Sequence, residues 1–176
     1  EGNVIGGSFD QGIYLANTAQ TQIRGNRIGT NPAGSAKSVN NHGVFVTGSN
    51  PGLQIGGPEA GDGNLISGNN SDGIRVSSAT GAIVIQGNLV GTDATGMVAL
   101  ANGGSGIYVS QSPGVLIGGA SAAARNVIGG NTGPGIWVTG GASTGGMIQG
   151  NYIGVRADGQ GGIANASGGV LVDGGA

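Results

Sequence analysis

Six segments of the form glycine, branched apolar residue, variable residue, apolar residue recur along this chain. They read GIYL at 12–15, GVFV at 43–46, GIRV at 73–76, GIYV at 106–109, GIWV at 135–138 and GVLV at 169–172. Two further apolar series accompany them. One begins with Asn3, Asn26, Asn64, Asn88, Asn126 and Asn151, each followed two places on by Ile or Val; the other centres on Ile23, Ile55, Ile85, Ile117 and Ile148. Three short strands therefore recur per unit, divided by Gly, Asn and Ser turns. Such a unit cannot bury its apolar side alone and must coil and stack on the next.

Successive residues of the asparagine series lie 23, 38, 24, 38 and 25 residues apart, so the full repeat is a pair of units of 61 or 62 residues. Every second unit carries an added loop of about a dozen residues. It is visible in GTNPAGSAKS, again in GTDATGMVAL and, in diverged form, in GVRADGQGGI. The predicted architecture is all-β: a right-handed parallel β-helix of about six coils, three short strands per coil, with longer loops on alternate coils. The period itself carries no sign, so the right hand rests on the usual connection rule and on the resemblance given below. Residues 1–176 form one domain, read as a piece of a longer, secreted or cell-surface bacterial protein.

The 43 glycines among 176 residues follow no G-x-y period and come with only five prolines, so a collagen-like or disordered chain is excluded. They are expected at turns and close approaches. Inward-facing asparagines would be costly unless bonded; stacked at one level, they can bond to each other and to turn amides. A net charge near −2, with six Lys plus Arg, argues against nucleic acid or an anionic membrane as partner. Cysteine is absent and there is no His/Cys cluster. No cofactor or metal is expected, although Glu59 and Asp62 in GPEAGDG raise the question of calcium.

Period-two alternation turns the third residue of each GIxV segment outward. That column reads Tyr14, Phe45, Arg75, Tyr108, Trp137 and Leu171, and it holds four of the chain's six aromatic residues. Folding does not demand bulky aromatics there. One reading is that the rings shield the backbone and pack on each other across strands. The other is a stacking face for sugar rings, with Arg75 supplying directional donors. Residues preceding the repeated glycine form a second column, Gln11, His42, Asp72, Ser105, Pro134 and Gly168. His42 beside Asp72 suits turn chemistry or sugar hydrogen bonding better than acid–base catalysis. Asp10, Asn41 and Ser71 line the adjacent turn. Asp93 and Asp158, near the starts of long loops two coils apart, would be separated by about 10 Å, long for the paired acids of a retaining hydrolase.

The motifs GNRIGT, GNLVGTDATG and NLISGNNSDGIRV resemble the repeats of right-handed parallel β-helix proteins over essentially the whole chain. That scaffold hosts pectate-lyase-like enzymes, hydrolases, epimerases, adhesins and noncatalytic segments. A short β-helix also resembles the β-helical carbohydrate-binding modules attached to xylanolytic enzymes. The resemblance implies a noncatalytic module that binds plant cell-wall polysaccharide, xylan-type favoured, through Tyr14, Phe45, Arg75, Tyr108 and Trp137, assisted by Gln11, His42 and Asp72. A monomeric unit linked covalently to a neighbouring domain such as a glycoside hydrolase is expected. A structural or adhesin-stalk segment and a polysaccharide lyase or glycoside hydrolase are the alternatives.

Overall fold

The structure is a computed structural model that describes residues 2–176. The chain winds as a parallel β-solenoid. Coil 1 comprises β1 (Val4–Ile5), β2 (Ile13–Ala16) and β3 (Gln22–Ile23); coil 2, β4 (Arg27–Ile28), β5 (Val44–Ser49) and β6 (Leu53–Gly56). Coil 3 follows with β7 (Leu65–Ile66), β8 (Ile74–Thr80) and β9 (Ile83–Gln86), and coil 4 with β10 (Leu89–Val90), β11 (Ile107–Ser110) and β12 (Leu116–Gly118). Coil 5 has β13 (Val127–Ile128), β14 (Ile136–Thr139) and β15 (Met147–Gln149), and coil 6 has β16 (Tyr152–Ile153) and β17 (Val170–Val172). The expected six coils are thus five complete three-strand coils and a sixth with two strands. The first two sheets contain six strands each and the third contains five.

Every strand pair is parallel, and the repeated residues of the sequence lie on one another. Ile5, Ile28, Ile66, Val90, Ile128 and Ile153 align in the first sheet. Ile23, Ile55, Ile85, Ile117 and Ile148 align in the third. With the two inward residues of each GIxV segment they fill a narrow triangular core. Ile28, Ile66, Ile74, Ile85, Ile107 and Ile128 are fully buried, each contributing about 1.5–3 kcal/mol of burial. Branched side chains suit this packing because their restricted rotamers let identical residues stack at the strand step.

Asparagines, buried except at the two ends of the first ladder, close the corners. Along Asn3, Asn26, Asn64, Asn88, Asn126 and Asn151, each Nδ2 donates to the next Oδ1 at 2.9–3.0 Å. The same Oδ1 also accepts from the backbone N–H of the preceding asparagine. A second ladder, Asn40, Asn69, Asn102, Asn131 and Asn165, runs where the first sheet turns into the second, with Nδ2 to Oδ1 distances of 2.8–3.1 Å. It lies three or four residues before the GIxV glycine and was not anticipated from the spacing.

Long loops of coils 2, 4 and 6 are closed by antiparallel bridges Thr30–Lys37, Thr92–Ala99 and Val155–Gly162. They stack on one another through Ala94 N–H to Gly34 O at 3.0 Å and Ala157 N–H to Gly96 O at 3.1 Å. The loops fold back over the outer face of the first sheet. A Cβ at Gly34 would lie 2.6 Å from Leu65 Cδ2, and Leu65 is buried although it points away from the core. The outer face of the second sheet is therefore left uncovered by them.

In the third loop, the place held by Asn31 and Asp93 belongs to Arg156, whose N–H bonds to Gly161 O as those of Asn31 and Asp93 bond to Ala36 O and Val98 O. Asp158 stands two residues later and is no repeat partner of Asp93. The spaced pair of acids weighed from the sequence is therefore not a repeating feature.

Asp93 organises its loop by accepting from the Thr95 hydroxyl at 2.8 Å and from the Met97 and Val98 amides. Burial raises its pKa, but the bonds from Thr95 and the amides of Val98 and Met97 outweigh burial and hold it below 3.8. A depressed native pKa means that stability is present above the unfolded value and is lost as pH falls through the folded one. Asp93→Asn keeps an acceptor, as Asn31 does in the first copy. In urea titrations from pH 6 down to pH 2, wild type is expected to lose the Asp93 contribution below about pH 4. The variant is expected to decline less steeply; parallel curves would show that the loop does not select the ionised carboxylate.

Candidate functional site

The second sheet carries the outward row predicted from the sequence. Tyr14 pairs with Phe45, Phe45 with Arg75, Arg75 with Tyr108, Tyr108 with Trp137 and Trp137 with Leu171. Consecutive members are one strand step, about 4.8 Å, apart along the solenoid. Tyr14 is 56% exposed; Phe45, Arg75, Tyr108 and Trp137 are half-buried.

Their half-burial comes from one another. Tyr14 and Phe45 meet edge to face with centroids 5.7 Å apart and planes at 64°. Tyr108 and Trp137 do the same at 5.2 Å and 84°. Between the pairs, the Arg75 guanidinium sits 4.4 Å from the Tyr108 centroid and 5.9 Å from that of Phe45. The row is thus two ring clusters joined by a cation, an arrangement favoured by the ring quadrupole. It is not one flat sheet of coplanar rings. Trp137 Nε1 donates to Asp173 Oδ1 at 3.2 Å, which fixes the indole at the far end.

The column beside it is also in register. Gly12 N–H bonds to His42 O, Gly43 N–H to Asp72 O, Gly73 N–H to Ser105 O, Gly106 N–H to Pro134 O and Gly135 N–H to Gly168 O, all at 2.9–3.1 Å. The neighbouring turn column of Asp10, Asn41 and Ser71 is joined likewise by Asn41 N–H to Asp10 O and Ser71 N–H to Asn41 O. The repeated glycines are needed here for close approach, since none of these five has a positive φ.

Asp72 is buried, at 6% exposure. Its Oδ2 accepts from Arg75 Nη1 at 3.0 Å and its Oδ1 from the Ser105 amide at 2.9 Å. This aims Arg75 along the row. His42 Nδ1 lies 3.6 Å from the same Oδ2, too far for a hydrogen bond, and is buried without a partner. Burial lowers the His42 pKa, and the Arg75 charge adds to that; Asp72 and Asp10 only partly oppose it. His42 is therefore a neutral imidazole at pH 7, packed 5.7 Å from the Phe45 ring.

The structure thus brings together Tyr14, Phe45, Arg75, Tyr108 and Trp137 on one open face, with buried Asp72 and half-buried His42 as a bracket beside it. Gln11 is half-buried at the end of the bracket. Asp72 is committed to Arg75 and Ser105 rather than turned to solvent. Among the described residues no three His, Cys, Asp or Glu side chains converge to hold a metal, and Asp62 faces Arg24 at 3.3 Å. Sequence reasoning missed the Asp72–Arg75 pair, although its spacing of three residues was visible, and the Trp137–Asp173 contact.

No family model, curated protein or solved structure matches the chain, so its kinship is described by its architecture alone: it is a parallel β-solenoid of three sheets.

Proposed function

We propose that this protein is a noncatalytic carbohydrate-binding module that recognises plant cell-wall polysaccharide, xylan-type favoured, through the outward row of the second sheet. One observation carries the reading. Tyr14, Phe45, Arg75, Tyr108 and Trp137 lie in unbroken register on the face that the long loops leave open. Each ring cluster offers an apolar surface for sugar C–H groups, and Arg75, held by Asp72, offers fixed donors between them. An open face buries less ligand than a closed pocket, so affinity per site is modest. A covalently linked neighbouring domain, such as a glycoside hydrolase, on a secreted or cell-surface parent chain would supply avidity.

The edge-to-face packing within each ring pair favours a second reading, a structural or stalk segment whose aromatics stabilise the outer face. Lyase or hydrolase chemistry has less support, because Asp72 is committed to Arg75 and the Ser105 amide and lies too far from His42 to orient it.

Calorimetric titration with soluble xylans, mixed-linkage glucans and pectins separates these readings. Saturable binding by wild type is expected, with loss of at least about tenfold in Trp137→Ala and in Tyr108→Ala, as for anchor residues of an interface. Both variants should keep the wild-type circular dichroism. Absence of heat across the panel supports the structural reading, and product release dependent on Asp72 would support the enzymatic one.

A further inference from the structure

Among the described residues, four buried side-chain polar atoms have no hydrogen-bond partner, and three of them belong to one corner of coils 2 and 3: Arg24 Nε, Arg27 Nε and Asp62 Oδ2. Buried polar atoms of this kind are unfavourable unless something offsets them. Arg24 is partly accounted for, with Nη1 3.3 Å from Asp62 Oδ2 and Nη2 donating to Gln54 Oε1 at 2.8 Å. Arg27 makes no ion pair with any described residue. Its Nε runs beneath the long loop, 3.4 Å from where a Cβ on Gly34 would sit.

Beside this corner lies a groove of about 340 Å³. Its floor is the outer row of the first sheet, Arg27, Leu65 and Leu89, which are in register across three coils. Glu59 stands on the turn that forms one wall, and Ala94 on the long loop that forms the other.

The internal repeat supplies a control for what the coil itself requires. IRGNRIG at 23–29 corresponds to IQGNLVG at 85–91, and GGPEAGDGN at 56–64 to GGASAAARN at 118–126. Arg24, Arg27 and Asp62 are therefore replaced by Gln86, Leu89 and Ala124. That second corner closes without the trio: Ala124 is 4% exposed, Gln86 Nε2 donates to Gly118 O at 2.9 Å, and its one cation, Arg125 in the place of Gly63, is satisfied by Gly150 O at 3.0 Å and by the Tyr152 ring at 3.9 Å. The charged trio is not needed to turn the solenoid.

We infer that this groove is a second ligand site, separate from the row on the second sheet, and that it takes a pyranose ring bearing a carboxylate, that is, a uronic acid unit. The Arg27 guanidinium matches a carboxylate in shape and charge, and its partial burial strengthens the pairing relative to water. Half-buried Leu89 offers an apolar contact for the C–H face of the ring, and Leu65, buried under the long loop, backs Arg27 from beneath. Glu59, exposed on the rim, accepts from ring hydroxyls. The volume is at the small end of the range for ligand pockets and suits one or two sugar units.

The test is calorimetric titration of the whole 176-residue chain with tri-galacturonate, its methyl ester and inorganic phosphate. Tri-galacturonate is expected to saturate. Esterification, Arg27→Leu and Arg27→Gln should each weaken it at least about tenfold, the last two being the repeat-related and the isopolar replacements. Trp137→Ala should leave this binding unchanged, which separates the groove from the glycan row: each site can fail alone. No saturable uronate binding, equal binding of the ester, or wild-type binding by either Arg27 variant would overturn the assignment. Phosphate binding as tight as uronate would also overturn it, reducing the groove to a bare anion site, and uronate loss in Trp137→Ala alone would move that ligand to the second sheet.

Discussion

Asn88→Ala is expected to destabilise the protein by about 2–4 kcal/mol, the cost of one orphaned buried donor and the lost side-chain bonds around it. Asn88 is fully buried in the middle of the first ladder. Its Oδ1 accepts from both the backbone N–H and Nδ2 of Asn64, at 3.0 and 2.9 Å. Its Nδ2 donates to Ile55 O, Gln86 O and Asn126 Oδ1, at 2.9, 2.9 and 3.0 Å. Truncation removes the acceptor for the Asn64 amide in a place that water does not reach. Asn151→Ala, at the half-buried end of the same ladder, should cost less than half as much because solvent can replace the lost acceptor. Urea unfolding with unchanged m-values measures both. A loss below about 1 kcal/mol for Asn88→Ala would mean that the ladder merely follows from coil stacking and does not help to hold it.

Gly43→Ala is expected to cost about 3 kcal/mol, at the upper end for overpacking. Gly43 has an ordinary negative-φ backbone, so the penalty is steric. An added Cβ would lie 2.5 Å from Gly73 O, 2.6 Å from Ile66 Cγ2 and 2.9 Å from Asn69 Nδ2. Gly73 O cannot withdraw without parting coils 2 and 3, because it accepts the Val44 N–H at 2.9 Å. Gly141→Ala is the matched control: nothing lies within 4 Å of its added Cβ and its φ is not positive. That variant should stay within about 0.5 kcal/mol of wild type. Thermal midpoints that fall equally for both would show that the corner relaxes around the methyl group.

These two positions also show why the coils were legible in the sequence. The ladder asparagine and the corner glycine recur because each is dictated by contact with its own copy one strand step away, so a local steric demand becomes a chain-wide period. Neighbours within the outward row followed from the same register. Side-chain orientation did not, since pairing fixes which residues are adjacent but leaves χ angles open. The edge-to-face ring pairs and the choice of Arg75 rather than His42 as the partner of Asp72 are of this kind.

The second asparagine ladder was harder to read because Asn40 stands three residues before its glycine, whereas Asn69, Asn102, Asn131 and Asn165 stand four before theirs. Long-loop direction depended on contacts such as Gly34 against Leu65, which link residues 31 positions apart with no repeated motif between them. The charged corner of Arg24, Arg27 and Asp62 was hidden for a related reason. It departs from the repeat, and its members were scattered charges until the coils brought them together.

Solenoid stability and the proposed ligand recognition rest on different side chains: ladder asparagines and stacked isoleucines face inward, and the Tyr14–Trp137 row faces outward. Trp137 is the only tryptophan in the chain and stands within that row, so its fluorescence reports on the proposed site without any substitution. The most direct measurement is therefore the emission of the wild-type protein during titration with soluble xylan. A saturable shift, with a midpoint that matches the calorimetric one, is the expected result. Emission that stays flat while xylan is added to saturating concentration would contradict glycan binding at the row.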